Sequence, residues 1–239
     1  RIATCLVGST YQSRLAMMPS FSFADSLLEK WPRMTLGVIR CAVRVEPSSE
    51  LLVQTMNERA KVMQTNLSTE QIGQLPTIAA ARKAYRALGK DPARYRLSAE
   101  ALLRRVVKGE ALYHINNVVD CLNLLSFTSG FSIGGYDADT IHDSIQMSVG
   151  TADDLYEGLG RGVLNIDSLP VLRDAAGPFG SPTSDSVRTG VTSETTSFLM
   201  VVFDFANSET LTLFLDQAVL DLQKWCSASS FEISIQASK

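Results

Sequence analysis

Apolar and polar positions alternate from Leu36 to Val45: Ile39, Cys41, Val43 and Val45 share one face, Arg40 and Arg44 the other. That period of two predicts a half-buried strand. Upstream, residues 22–31 read as a short helix, with Ser22 as cap and Pro32 beyond its end. Downstream, the period lengthens. Ser48 and Ser49 cap a helix running to about Gln64, and Pro76 opens another that Gly89 closes, with Ile78, Ala81, Tyr85 and Leu88 as its inner stripe. Ser98 starts a third, with Leu102, Leu103, Val106 and Val107 inward and Gly109 as its stop. A fourth covers Asn117 to Ser129 and ends at Gly130.

Beyond that point the texture is turn-rich. Ser144–Val149, Val163–Ile166 and Phe198–Phe205 are strand candidates between Gly, Pro, Asp and Ser clusters. Thr210 to Trp225 is an amphipathic helix with Leu211, Phe214, Leu215, Ala218, Leu222 and Trp225 on one side, and Phe231–Ile235 is a closing strand. A helix-rich first half and a strand-rich second half predict an α+β fold rather than a regular βαβ alternation. No repeat or long linker divides the chain, so 21–239 is expected to be one domain. Residues 1–20 lack both periodicity and a signal-peptide core, and are expected to be a poorly ordered or artefactual leader.

Composition narrows the class. Of 239 residues, 45% are hydrophobic and 20% charged, the profile of a globular protein that buries a core without disulfides or metal. No apolar run approaches the roughly 18–20 residues of a membrane span. Cys5, Cys41, Cys121 and Cys226 are far apart with no C-x-x-C pair, which reads as reduced thiols of a cytoplasmic protein with no metal and no cofactor.

Net charge is −3, yet its distribution is uneven. Between residues 82 and 108 stand Arg82, Lys83, Arg86, Lys90, Arg94, Arg96, Arg104, Arg105 and Lys108, opposed only by Asp91 and Glu100, a formal +7. Such an element on an acidic body is the footprint of a phosphate-bearing partner, or else a solvated basic face on two helices. On the next helix Asn116, Asp120, Asn123 and Phe127 lie within about 60° of one another, so three polar groups share a stripe. They face a ligand or water, or cap a neighbouring loop. His114 and His142 are the only imidazoles. Gly158-x-Gly160-x-Gly162 lacks the spacing of a dinucleotide fingerprint.

Four stretches carry a family resemblance: Ala84-Tyr85-Arg86-Ala87-Leu88-Gly89-Lys90-Asp91-Pro92, Ser98-Ala99-Glu100-Ala101-Leu102-Leu103-Arg104-Arg105, Ile115-Asn116-Asn117-Val118-Val119-Asp120-Cys121-Leu122-Asn123, and Gly134-Gly135-Tyr136-Asp137. Together they resemble the B3/B4 domain of the phenylalanyl-tRNA synthetase β chain, which also occurs free-standing, over about Phe21 to Phe205. The resemblance implies a three-layer α+β sandwich and an aminoacyl-tRNA-handling role, since the synthetase domain hydrolyses tyrosine wrongly esterified to the phenylalanine tRNA. Asp120 and Asn123 match the family's V-D-x-x-N helix, and Asp137 the aspartate of its H-A-F-D turn.

Two positions depart from the pattern. The histidine of that turn falls on Gly134, and the glutamate that recognises a tyrosine hydroxyl falls near Val201, with Glu194 and Asp204 flanking it. The Gly/Pro-framed run from Gly177 to Thr189 is a candidate replacement wall, with Ser181, Thr183, Asp185 and Arg188 as its polar groups; the other reading is an ordered turn that satisfies its own backbone. The resulting expectation is an amino-acid pocket of Asn116, Asp120, Asn123, Gly134, Gly135, Tyr136, Asp137, Ser181, Thr183, Asp185 and Arg188, with Asn123 positioning water and the nine cations holding tRNA or aminoacyl-tRNA. A free amino acid is a further ligand candidate, and no membrane is implied. Deacylation of mischarged tRNA in trans is the implied chemistry; a non-catalytic binding module that lost it is the alternative.

Overall fold

The computed structural model describes residues 18–237. Phe21–Phe23 form a short strand (β1) and Asp25–Leu28 one helical turn (α1), where the pattern predicted a helix over 22–31. Long-range pairing decides the difference: Phe21, Ser22 and Phe23 lie parallel to Ile145, Gln146 and Met147, which holds them extended. Of the expected leader, residues 1–17 lie outside the described residues.

Thr35–Ala42 is β2, where the pattern predicted a strand over 36–45, and it is buried on both faces rather than one. Arg40, expected at the surface, is 4% exposed and donates from Nη2 to Ser197 Oγ at 3.2 Å. Then come α2 (Glu50–Asn66), a single turn α3 (Thr69–Ile72), α4 (Pro76–Leu88), α5 (Ser98–Val107) and α6 (Asn117–Ser129). The punctuation works as the residue types dictate. Ser49 accepts from Leu52 N, Pro76 sits in the first turn of α4, and Gly89 and Gly130 end α4 and α6 in the left-handed conformation.

The second half holds β3 (Ser132–Asp137), β4 (Ile145–Val149), β5 (Glu157–Gly158), β6 (Gly162–Val163), β7 (Pro170–Asp174), β8 (Gly177–Gly180), β9 (Ser197–Asp204), α7 (Leu211–Cys226) and β10 (Ser229–Ala237). Residues 134–137, expected in a turn, are therefore strand, and the candidate loop from Gly177 begins as one. The strand expected over 163–166 shrinks to the two-residue arm of the β5–β6 hairpin.

One sheet runs β10-β2-β9-β3, the other β1-β4-β7-β8. Because β2 and β9 are buried along their length, the first sheet divides two cores. On one face Ile39, Cys41, Met200 and Val202 pack against α6 and α7 through Cys121, Leu125, Leu215 and Leu222. On the other, Leu36, Val38, Val201 and Phe203 belong to the larger core shared with α2, α4, α5 and the second sheet. This is the α+β fold that the sequence pattern predicts, in the three-layer form that the resemblance implies. Gly37 makes the inner approach possible, since a Cβ there would stand 3.0 Å from Leu211 and Leu215.

The start of α6 is stitched to both neighbours by one buried carboxamide. Asn117 Oδ1 accepts from Glu46 N at 2.9 Å and Val118 N at 3.0 Å, while Nδ2 donates to Arg44 O at 2.9 Å and Trp225 O at 3.0 Å. Removing it strands backbone groups away from water. Asn117→Ala is expected to cost about 2–4 kcal/mol in urea unfolding, and a loss under about 0.5 kcal/mol would sink this account.

Candidate functional site

Asn116 is the N-cap of α6, its Oδ1 accepting from Val119 N at 2.9 Å. Asp120, one turn on, has no exposure and accepts from Ser48 Oγ at 2.6 Å and Ile115 N at 3.1 Å, with His114 Nδ1 at 3.0 Å. Both groups serve the local fold, and Phe127 is buried in the larger core. The expected polar stripe thus reduces to Asn123, which opens on a cleft of about 440 Å³.

That cleft runs between α5 and α6 and the tip of the β5–β6 hairpin. Arg96, Arg104, Arg105, Lys108 and Arg161 line it with Ser98 and Asn123, against the one carboxylate of Glu110. Asn123 makes no side-chain hydrogen bond among the described residues, so its carboxamide remains available there. Four of these cations come from the +7 segment. Ser98 and Arg161 were not predicted; the only signal for Arg161 is its place between two glycines at a hairpin tip, both with positive φ.

The nine predicted cations divide by what they touch. Glu100, fully buried, takes Arg82 Nη1 at 2.9 Å on each oxygen and Arg104 Nε at 3.0 Å, with Arg96 at 4.0 Å. Lys90 is withdrawn from any ligand: it is 8% exposed, donates to Asp167 O, and lies over the Tyr95 ring. Arg94 flanks the same ring at 5.6 Å. Lys83, Arg86, Arg96 and Lys108 are exposed.

Most of the other expected pocket residues form a separate, buried knot. Three tyrosine hydroxyls end on one short segment: Tyr85 meets Thr183 Oγ1 at 2.9 Å, Tyr136 donates to Asp185 Oδ1 at 2.8 Å, and Tyr156 donates to Ser184 O at 2.6 Å. Ser181 Oγ closes the turn, donating to Ser184 O at 2.9 Å and accepting from Ser184 N at 3.0 Å. The knot meets the rim of the cleft where Ser98 N donates to Pro182 O at 2.8 Å. Asn123, Tyr136 and Thr183 therefore do not share the one hollow expected of them.

Gly134 and Gly135 explain why a strand carries two glycines. A Cβ on Gly134 or on Gly180 would fall on the Tyr136 hydroxyl, and one on Gly135 on Leu122. The ring of Tyr136 thus occupies the volume a side chain at 134 would need. Asp137 accepts from Asp139 N at 3.1 Å and Thr195 Oγ1 at 2.7 Å, fixing the end of β3. Arg188 grips Asp174 through both guanidinium nitrogens at 3.1 and 2.8 Å, so it is structural. Glu194 is exposed, and Asp204 accepts from Ala206 N and Ser208 N in its own turn. His142 lies by the β7–β8 hairpin, its N donating to Asp174 Oδ2, apart from His114.

This α+β sandwich with one open, cation-lined cleft belongs to the B3/4 domain family, whose model matches residues 80–213. Among solved structures the chain is similar to an N-terminal fragment of the phenylalanyl-tRNA synthetase β-subunit from Pyrococcus horikoshii, with 13% identity and a TM-score of 0.45. The match covers 89% of this chain and 50% of the other, so the chain spans about half the length of that fragment. No curated protein matches it.

Asp185 gives the knot a signature in pH. Burial pushes its carboxyl up to about 7, against the hydrogen bonds from Tyr136 and Gly135 N that favour the charged form. The folded protein holds this proton more tightly than an unfolded chain, whose carboxyl titrates near 3.8. The contribution therefore costs stability progressively from about pH 4 to about pH 7 and is constant above. Asp185→Asn retains an oxygen acceptor without the charge. Relative to wild type it is expected to gain stability across that window, on the order of a few kcal/mol, in urea midpoints taken at successive pH values; a constant difference would refute the assignment.

Proposed function

We propose that this chain binds tRNA, with the phosphate backbone seated in the cleft between α5, α6 and the β5–β6 hairpin. The observation that carries the reading is the cleft lining itself: five cations and a free carboxamide around a single exposed carboxylate. Guanidinium and ammonium groups converging from two helices and a hairpin suit a string of phosphates better than one small anion. The resemblance to the B3/B4 domain of a tRNA synthetase supports tRNA as the class of nucleic acid.

Binding is favoured over hydrolysis of a mischarged end by a specific feature of the sheet. Gly134 and Val201, the positions where the resemblance expects a histidine and a glutamate, are register partners across β3 and β9. Neither carries an acid or a base, and Tyr136 fills the space above them. Ester hydrolysis in this cleft would rely on water held by Asn123, Ser98 or the Glu110 carboxylate, with oxyanion stabilisation left to the cleft cations.

Affinity for unmodified tRNA is expected to fall steeply with salt. Arg96→Ala and Lys108→Ala should each reduce the slope of log affinity against log salt by about 0.7–0.9, the share of one phosphate contact. Fluorescence anisotropy across a salt series measures it, and a flat response would remove nucleic acid from the account. Release of amino acid from mischarged tRNA by the wild-type protein would instead restore the hydrolytic reading.

A further inference from the structure

Between α5 and α6 the chain from Glu110 to Asn116 has no regular structure, yet both of its ends are pinned. At one end Arg105 Nε donates to Ala111 O at 2.6 Å and its Nη1 pairs with Glu110 at 3.3 Å. At the other, buried Asp120 accepts from Ile115 N and holds His114. Between these clamps the ring of Tyr113 is 71% exposed and Ile115 is 65% exposed. Apolar surface left in water forfeits the gain of burial, so a fixed segment that presents a ring to solvent gains nothing by it in the free protein.

The setting of that ring is specific. Arg105 lies over one face, its guanidinium carbon 4.4 Å from the ring centroid, and Arg105 also lines the cleft. Tyr95, the other tyrosine with a cation over its ring, is only half-exposed, with Lys90 4.0 Å from its centroid. Tyr113 thus combines exposure, a rigid mount and a direct link through Arg105 to the proposed phosphate site. Aromatic rings next to cationic grooves bind single-stranded nucleic acid by stacking on bases, a surface that a duplex keeps inside its own stack.

We infer that Tyr113 is a stacking platform for an unpaired base of an RNA strand whose phosphates occupy the adjoining cleft. The inference rests on the RNA-binding reading and adds the form of the ligand: a single-stranded segment or end rather than a helical stem. Arg105 backs the ring and reaches toward the phosphates, so base and backbone are read by one unit.

The test uses three fluorescein-labelled RNA probes of equal length: a single strand, the same strand with abasic sites throughout, and a duplex. Tyr113→Ala should weaken binding of the single strand about tenfold or more, leave the abasic strand and the duplex unchanged, and leave the salt slope unchanged. Tyr113→Phe should keep wild-type affinity, and Tyr113→Trp should show fluorescence quenched by the single strand but not by its abasic counterpart. Equal affinities of wild type and Tyr113→Ala for the single strand, with salt-dependent binding intact, overturn the platform while leaving the RNA reading standing, and assign the exposed ring to a protein partner. A loss shared by the abasic strand also overturns it, since the ring would then act only by holding Arg105. Absence of salt-dependent binding to all three probes overturns the parent reading and the platform with it.

Discussion

The cationic side of this molecule depends on one buried carboxylate. Arg82, Arg96 and Arg104 lie close enough to repel one another, and Glu100 sits among them with no exposure, bonded to Arg82 on both oxygens and to Arg104 on one. Removing one partner of such a set costs about 3–5 kcal/mol, because the remaining charge is left without compensation. Arg82 belongs to α4 while Glu100 and Arg104 belong to α5, so the pairing also ties the two helices together. The charges left over are the ones that matter to a ligand. Lys108 and Arg161 carry no carboxylate partner among the described residues, and Arg96 only a distant one. A formal count of +7 therefore overstates the positive charge a partner would meet, and the arrangement of a few free cations around Asn123 says more than the total.

The helices were legible because their ends and faces are written locally. Ser49, Pro76, Gly89, Asn116 and Gly130 are punctuation whose chemistry needs no distant partner, and α4 buries the stripe Ile78, Ala81, Tyr85 and Leu88 that its period announces. The strands that escaped notice depend on residues far away. Phe21–Phe23 is extended only because Ile145–Met147 lies alongside. Residues 134–137 were expected in a turn on the resemblance, but they pair as strand, and Gly134 and Gly135 are glycines to make room for Tyr136 and Leu122. Arg40 looked like a surface residue because alternation cannot report that a sheet is covered on both sides.

The same limit applies to the site. Asn123 and the basic segment could be found from spacing and charge, since both features lie within single helices. Whether Asp120 faced a ligand could not be found that way, because its answer is Ser48, 72 residues earlier. Arg161 escaped for a similar reason: its hairpin is held by residues distant in sequence, where Leu159 N donates to Asp185 O at 2.9 Å and Gly158 bridges Ser186.

That last connection ties the buried knot to the open cleft. Tyr136 holds Asp185 by its side chain, Asp185 holds Leu159 by its carbonyl, and the hairpin tip one turn further on carries Arg161. The side-chain link does not require a charge on Asp185. A carboxylic acid still offers a carbonyl oxygen to the Tyr136 hydroxyl and to Gly135 N, so the segment stays in place whether or not its proton is present. Titration of Asp185 near neutrality consequently shifts the stability of the knot without releasing the hairpin. The polar residues expected to wall a pocket thus act as the scaffold behind the cleft, held by bonds that either protonation state of Asp185 can make.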